Sequence, residues 1–146
     1  MSSSNRELAL AYLEDAEYAF EEAMRAYKRK LFHRTIRRAQ ECVELSLKAL
    51  LRLYGVEYPR THEVSSSLML IKDKLPEWLR QRLDYIVETS IKLSLQRAPS
   101  FYGDEIRGIP AKKLFNEKDA TDALKRARII LELVKKLIEE WSQVPS

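Results

Sequence analysis

Seven basic side chains and no acidic ones lie between positions 25 and 38 of the chain. Within this basic block, Arg34, Arg37 and Arg38 stand close together, and an arginine guanidinium can hold a phosphate through two parallel hydrogen bonds. The block therefore predicts a phosphate-binding surface. The alternative is a charged helix tip that only keeps the protein in solution, and the sequence gives the two interpretations equal weight.

The chain contains two histidines, and histidine is the side chain that most readily exchanges protons near neutral pH. His33 lies inside the basic block, where its ring could join a phosphate site. His62 follows Pro59 and Thr61 at an expected helix start, where it could donate a proton or contact a base. These two are the only catalytic candidates. For both, a structural role is favoured, as a surface turn residue for His33 and as a capping or loop-packing residue for His62.

A polar stripe follows the basic block. Gln40, Glu44 and Lys48 are four residues apart, so they share one side of a helix. A Glu–Lys pair at this spacing stabilises a helix by about 0.2–0.5 kcal/mol, which accounts for two of the three residues. In the functional alternative, the stripe lines a groove between two copies of the chain, and Lys48 meets an anion. Further along, Arg97 could add a cation and Tyr102 a ring for base stacking, unless Tyr102 simply packs under the loop beside it.

Several classes of chemistry are excluded or disfavoured. A single cysteine, Cys42, cannot form an internal disulfide or a multi-cysteine metal site. Neither a Gly-rich phosphate loop nor an H-E-x-x-H zinc motif occurs, so we expect no metal and no cofactor. No apolar run reaches the ~18 residues of a membrane span, and the N-terminus does not resemble a signal peptide. With a net charge of only +4, these features predict a cytoplasmic protein.

Hydrophobic spacing predicts the helices that must position these residues. The 146 residues are 45% hydrophobic and include only three glycines, as expected of one domain, 1–146, with long helices around one core. Five helices and no strand are expected. Their approximate ranges are 5–30, 32–54, 62–74, 76–97 and 116–141, with an irregular stretch at 98–115. The sequence thus predicts an all-α, up-and-down bundle of four or five mostly antiparallel helices.

The same spacing assigns an inward face to each helix. In the first helix, this face combines Leu8 with small alanines that allow a neighbouring helix to approach closely. In the fourth helix, it consists of Leu79, Leu83, Ile86, Val87, Ile91 and Leu95. These assignments follow from apolar residues recurring every three or four positions.

Four segments together resemble one known family. The run AQECVELSLKALL at 39–51 is followed by Gly55 and then by P-R-T-H at 59–62. Tyr102, Gly103 and Asp104 form a Y-G-D segment, and NEKDATDALKRARIIL at 116–131 resembles a closing helix. In this order, these segments are similar to the HEPN family of prokaryotes and higher eukaryotes, over nearly the whole chain.

The resemblance implies a helical bundle that forms homodimers. Members of the family are linked to nucleotide or RNA binding, and many pair with a small nucleotidyltransferase in modules of the toxin–antitoxin type. For this chain, the resemblance implies a nucleotide- or RNA-phosphate-binding bundle with a nucleotidyltransferase partner. The expected phosphate-binding residues are Arg34, Arg37, Arg38, Lys48, Arg97 and Tyr102.

Some members of the family are metal-independent ribonucleases, which use an arginine followed, after four to six residues, by a histidine. This chain departs from that spacing. Only three residues separate Arg29 from His33, and one separates Arg60 from His62. Two alternatives therefore remain beside the binding function: a ribonuclease with an atypical Arg/His pair, and a bundle that only binds other proteins.

Overall fold

The computed structural model describes residues 3–59 and 64–141. Within these ranges, the chain forms seven α-helices, a short 3-10 helix at Lys72–Lys74 and no β-strand. The α-helices are α1 (Ser3–Lys28), α2 (Phe32–Leu53), α3 (Val64–Ile71), α4 (Glu77–Arg80), α5 (Leu83–Tyr102), α6 (Ala111–Leu114) and α7 (Glu117–Trp141). The predicted all-α architecture is confirmed. No helix in the described ranges is long and apolar enough to cross a membrane.

A tight turn separates α1 from α2, at the position that the sequence predicts. Lys30 adopts a left-handed conformation with φ of 60°. Its N–H donates to the Tyr27 carbonyl, and the Leu31 N–H donates to the Ala26 carbonyl, both at 2.9 Å. This is the double hydrogen bond of a Schellman motif, which ends a helix and reverses the chain.

The four long helices α1, α2, α5 and α7 alternate in direction. Gln40 of α2 is hydrogen-bonded to Arg97 of α5. Arg37, which precedes Gln40 on α2, is bonded to Ser100, which follows Arg97 on α5, so the two helices run antiparallel. Glu17 of α1 lies 3.6 Å from Lys135 of α7, whereas Tyr27 bonds to Thr121, so these two helices are antiparallel as well. The result is the expected up-and-down bundle.

Helix α2 occupies the centre of the bundle, because it packs against α1, α5 and α7. Its buried side chains include Leu47, Leu50 and Cys42, each with no exposed surface. Burial raises the pKa of the Cys42 thiol to about 12. On α1, the predicted Ala16, Ala19 and Ala23 do face the core, and Ala9 and Ala26 are buried as well.

Three side chains predicted to face inward do not. Leu8 is 39% exposed, Ile91 51% and Leu95 74%. On α5, polar residues take part in the buried face, including Thr89, Ser90 and Ser100. Leu83 and Ile86 are buried as predicted. Apolar spacing is therefore right for the first turn of α5 and wrong for Ile91 and Leu95, which lie on its outer side.

The stretch 98–115 is more ordered than the sequence predicts. Helix α5 continues through Pro99 to Tyr102, and a tight loop then runs to α6. The backbones of Asp104 and Ile109 close this loop through two hydrogen bonds of 2.8 and 2.9 Å. Gly103 has φ of 69° and ψ of −151°, a region that is essentially restricted to glycine. A Cβ at this position would also overlap the Ile109 carbonyl oxygen.

The break before α5 is likewise not predicted. The sequence suggests one helix over 76–97, but the chain forms α4, leaves the α-helix at Gln81 and Arg82, and starts again at Leu83. The predicted helix at 62–74 is α3 followed by the 3-10 turn at Lys72–Lys74. Its expected start at His62 lies outside the described residues.

Candidate phosphate-binding site

The N-terminal half of α2 divides the predicted basic residues between two sides of the helix. Arg34 and Arg38, one turn apart, face the end of α1. Arg37 lies on the side that packs against α5, where its Nε donates to the Ser100 carbonyl at 2.9 Å. The three arginines that the sequence groups together therefore belong to two separate sites.

The first site is a cleft at the α1–α2 turn, which we call the arginine cleft. A cavity of about 470 Å³ is lined by Arg25 of α1, by Arg29 of the turn that follows, and by Arg34 and Arg38 of α2. Glu22 is the one carboxylate that lines it. The α2 end of the cleft adds no negative charge, since the first turn of α2 contains no acidic residue.

Only one of the four guanidinium groups has a partner among the described residues. Arg38 donates through Nη1 to Glu41 at 3.1 Å, and its Nε lies 3.8 Å from Glu22. Within residues 3–59 and 64–141, the side chains of Arg25, Arg29 and Arg34 make no hydrogen bond or ion pair. The cleft thus presents three arginines that are available to an anion.

The second site is a cavity of about 410 Å³ between α2 and α5, which we call the α2–α5 pocket. Its polar wall is formed by Gln40 and Arg97, joined by a hydrogen bond from Arg97 Nη1 to Gln40 Oε1 at 2.6 Å. Its aromatic wall is formed by Phe101 and Tyr102. Tyr102 is 69% exposed, so most of its ring is open to solvent.

The Phe101 ring lies close to two cations. The guanidinium carbon of Arg37 is 4.3 Å from the ring centroid, and that of Arg97 is 5.6 Å away. Both distances allow a cation–π interaction. Because Arg37 is also bonded to the Ser100 carbonyl, it fixes the C-terminal turn of α5 next to the pocket.

His33 lies at the start of α2 and is only 9% exposed, so the predicted surface position is wrong. Its Nδ1 is buried without a hydrogen-bond partner in the described part of the chain. Burial, and then the nearby charges of Arg37, Arg34 and Lys112, lower the pKa of the ring below its usual value of 6.5. His33 is therefore neutral at physiological pH.

One predicted residue, Lys48, joins neither site. Lys48 lies eight residues beyond Gln40, about 12 Å further along the helix axis. Its Nζ is 6.0 Å from the Tyr12 ring centroid and 5.5 Å from that of Tyr58, so it contacts aromatic rings away from the arginines. His62 lies outside the described residues.

Three contributors are not among the expected phosphate-binding residues, namely Arg25, Arg29 and Phe101, although the first two lie within the predicted basic block. The first two carry a readable signal, because a spacing of four on each side of a tight turn brings two pairs of arginines face to face. The sequence around Phe101 carries no such signal, since the position of its ring beside the pocket depends on how α5 packs on α2. No cluster of metal-ligating side chains occurs among the described residues.

An up-and-down helical bundle with basic sites on its central helix is the class of protein that these observations define. The chain belongs to the HEPN domain family, whose model matches residues 9–137. Over 145 residues, it is 28% identical to the protein of Methanocaldococcus jannaschii named "Putative toxin MJ1304", covering 95% of this chain and 93% of that relative. The crystal structure of TT1696 from Thermus thermophilus is similar with a TM-score of 0.71 and 25% identity, over 88% of this chain and 96% of that one.

Proposed function

We propose that this protein is the HEPN component of a toxin–antitoxin module and that it binds nucleotide or RNA phosphate at the α2–α5 pocket. The observation that carries this proposal is the combination of Arg97 with the exposed ring of Tyr102 in one cavity. The guanidinium would hold a phosphate, and the ring would stack on a base. The Phe101 ring lies beside both Arg97 and Tyr102, and Arg37 packs on the same ring.

The toxin–antitoxin assignment is supported by the relative named as a toxin, since the match covers nearly all of both chains. The partner that we propose is a small nucleotidyltransferase, as the family resemblance implies. Co-expression with the nucleotidyltransferase encoded nearest to this gene should yield a complex that survives size-exclusion chromatography. Separate elution of the two proteins at micromolar concentration would contradict this part of the proposal.

We further propose that the protein is a homodimer through the outer side of α5. Val87, Ile91 and Leu95 of α5, with Met69 of α3, line a groove of about 880 Å³ and form what we call the apolar stripe. Three of these side chains are at least half exposed, with values of 55% for Met69, 51% for Ile91 and 74% for Leu95. Contiguous apolar surface of this kind marks an interaction site.

The surroundings of the apolar stripe favour a second copy of the chain as the occupant. Its rim carries both signs of charge, with Lys72 and Lys92 near Asp84 and Glu88. A two-fold axis brings the same surface to both sides, so a rim with both signs can pair with itself. Leu95 lines both this groove and the α2–α5 pocket, so a second copy would also border the phosphate site.

Binding is better supported than RNA cleavage. A neutral His33 could act as a general base, and this observation keeps an atypical ribonuclease as the second candidate function. However, with 9% of its surface exposed, the His33 ring offers little access to a substrate. Cleavage of RNA by the purified protein, abolished in His33→Ala with an unchanged melting temperature, would favour the ribonuclease.

Replacing Arg97 by glutamine should weaken binding of a short single-stranded RNA about tenfold or more, because a charge-assisted hydrogen bond contributes about 1.5–3 kcal/mol. Arg128→Gln provides a matched control, since Arg128 is exposed on α7, where its guanidinium carbon is 5.4 Å from the Phe20 ring centroid and it lines neither site. Fluorescence anisotropy at two salt concentrations measures both variants, and the affinity should fall as salt rises.

Equal affinities for Arg97→Gln and Arg128→Gln would show that general positive charge, and not the pocket, attracts RNA. No detectable binding by the parent protein at low salt would refute the proposal as a whole.

A further inference from the structure

The arginine cleft is more strongly charged than the binding of a single phosphodiester requires. Four arginines and one carboxylate line the cavity, which leaves a net charge of 4 − 1 = +3. Arg38 is partly neutralised by Glu41 at 3.1 Å, but that carboxylate lies outside the cavity. Like charges in one cavity repel each other, so the empty cleft carries an electrostatic cost that an anion would remove.

The arrangement of the charges indicates what kind of anion fits. The cavity of about 470 Å³ is lined by Arg25 and Arg29 before the α1–α2 turn and by Arg34 and Arg38 after it, so four basic side chains border one space. Each can make two parallel hydrogen bonds to phosphate oxygens. The internal backbone of RNA offers one negative charge per nucleotide, spread along the strand. A chain of directly linked phosphates instead concentrates three or more charges in one place.

We propose that the arginine cleft binds a chain of adjacent phosphates, such as the triphosphate group of a nucleotide, the 5′-triphosphate end of an RNA or tripolyphosphate itself. This site is separate from the α2–α5 pocket, where the arginine is joined by aromatic rings. No aromatic side chain lines the cleft within the described residues. Recognition there rests on the phosphates, and the base contributes nothing to it.

Isothermal titration calorimetry with tripolyphosphate and with orthophosphate tests this assignment on the full chain. Tripolyphosphate should bind at least tenfold more tightly than orthophosphate, because it engages several guanidinium groups at once. Arg29→Gln should weaken tripolyphosphate binding about tenfold. Lys28→Gln is the matched control, since it removes the same charge from the neighbouring residue of α1, which does not line the cleft.

Three further ligands identify the source of the phosphate chain. In the Arg97→Gln variant, where the α2–α5 pocket is weakened, tighter binding of ATP than of a 5′-triphosphorylated RNA would identify a free nucleotide, and the reverse order would identify an RNA end. An RNA with a 5′-hydroxyl should bind equally well to the parent protein and to Arg29→Gln. Conversely, Arg97→Gln should keep its affinity for tripolyphosphate. The two variants therefore distinguish a wrong assignment of the arginine cleft from a wrong assignment of the α2–α5 pocket.

Two results would overturn the proposal. One is an affinity for tripolyphosphate no higher than that for orthophosphate. The other is an equal loss in Arg29→Gln and Lys28→Gln, which would mean that only the net charge of the region matters. Thermal melting of each variant without ligand checks that the fold is intact, as expected for exposed residues at the end of α1.

Discussion

A Leu95→Glu variant is expected to elute as a single chain of 17.1 kDa, whereas the parent protein is expected to elute as a dimer. Leu95 is 74% exposed and is the most exposed side chain of the apolar stripe. In a two-fold dimer, each copy would bury an unpaired carboxylate, at a cost of about 3 kcal/mol or more. This corresponds to a roughly hundredfold or larger rise in the dimer dissociation constant.

Size-exclusion chromatography with light scattering, over a range of concentrations, measures this change. Ile106→Glu is the matched control. Ile106 is 99% exposed on the loop between α5 and α6, so the same change of side chain occurs outside the apolar stripe. If parent and Leu95→Glu have the same mass, or if both variants dissociate, the stripe is not the dimer interface.

Replacing Leu50 by alanine should produce the largest loss of stability among simple truncations. Leu50 has no exposed surface and lies on α2, which packs against three other helices. Truncating a fully buried leucine removes its hydrophobic transfer energy and leaves a cavity, and together these cost about 2–5 kcal/mol. For a chain of this size, each kcal/mol lowers the melting temperature by about 2–4 °C.

The control for this substitution is Leu70→Ala on α3, where the same side chain is 75% exposed. It should change the free energy of unfolding by no more than about 0.5 kcal/mol. Chemical denaturation followed by circular dichroism compares the two variants. Similar losses in both would mean that α2 is not the centre of the core.

The sequence predicts the long helices well but misassigns part of the inward face of α5. The bounds of α1, α2 and α7 lie within about two residues of the expected ranges, because their apolar residues do fill the core. On α5, Ser90 and Ser100 are buried against α2, and apolar Ile91 and Leu95 point outward. Hydrophobic periodicity cannot recognise a polar helix contact, nor an apolar surface that stays exposed.

The candidate site could be predicted only in outline. The basic block and Arg97 are visible in the sequence as isolated positive charges. Whether Arg37 joins Arg34 or Arg97 depends on which helix covers each side of α2, and this is a tertiary property. Lys48 shows the same limit, because its spacing fits the polar stripe, yet its neighbours are the rings of Tyr12 and Tyr58.

The buried cysteine gives the protein an internal reporter of its own fluctuations. Cys42 has no exposed surface, and a thiol with a pKa of about 12 is almost entirely protonated at neutral pH. A thiol reagent can therefore modify it only in those molecules whose central helix has momentarily separated from its neighbours. The rate of labelling in the native protein measures how often this opening occurs, without any engineered probe.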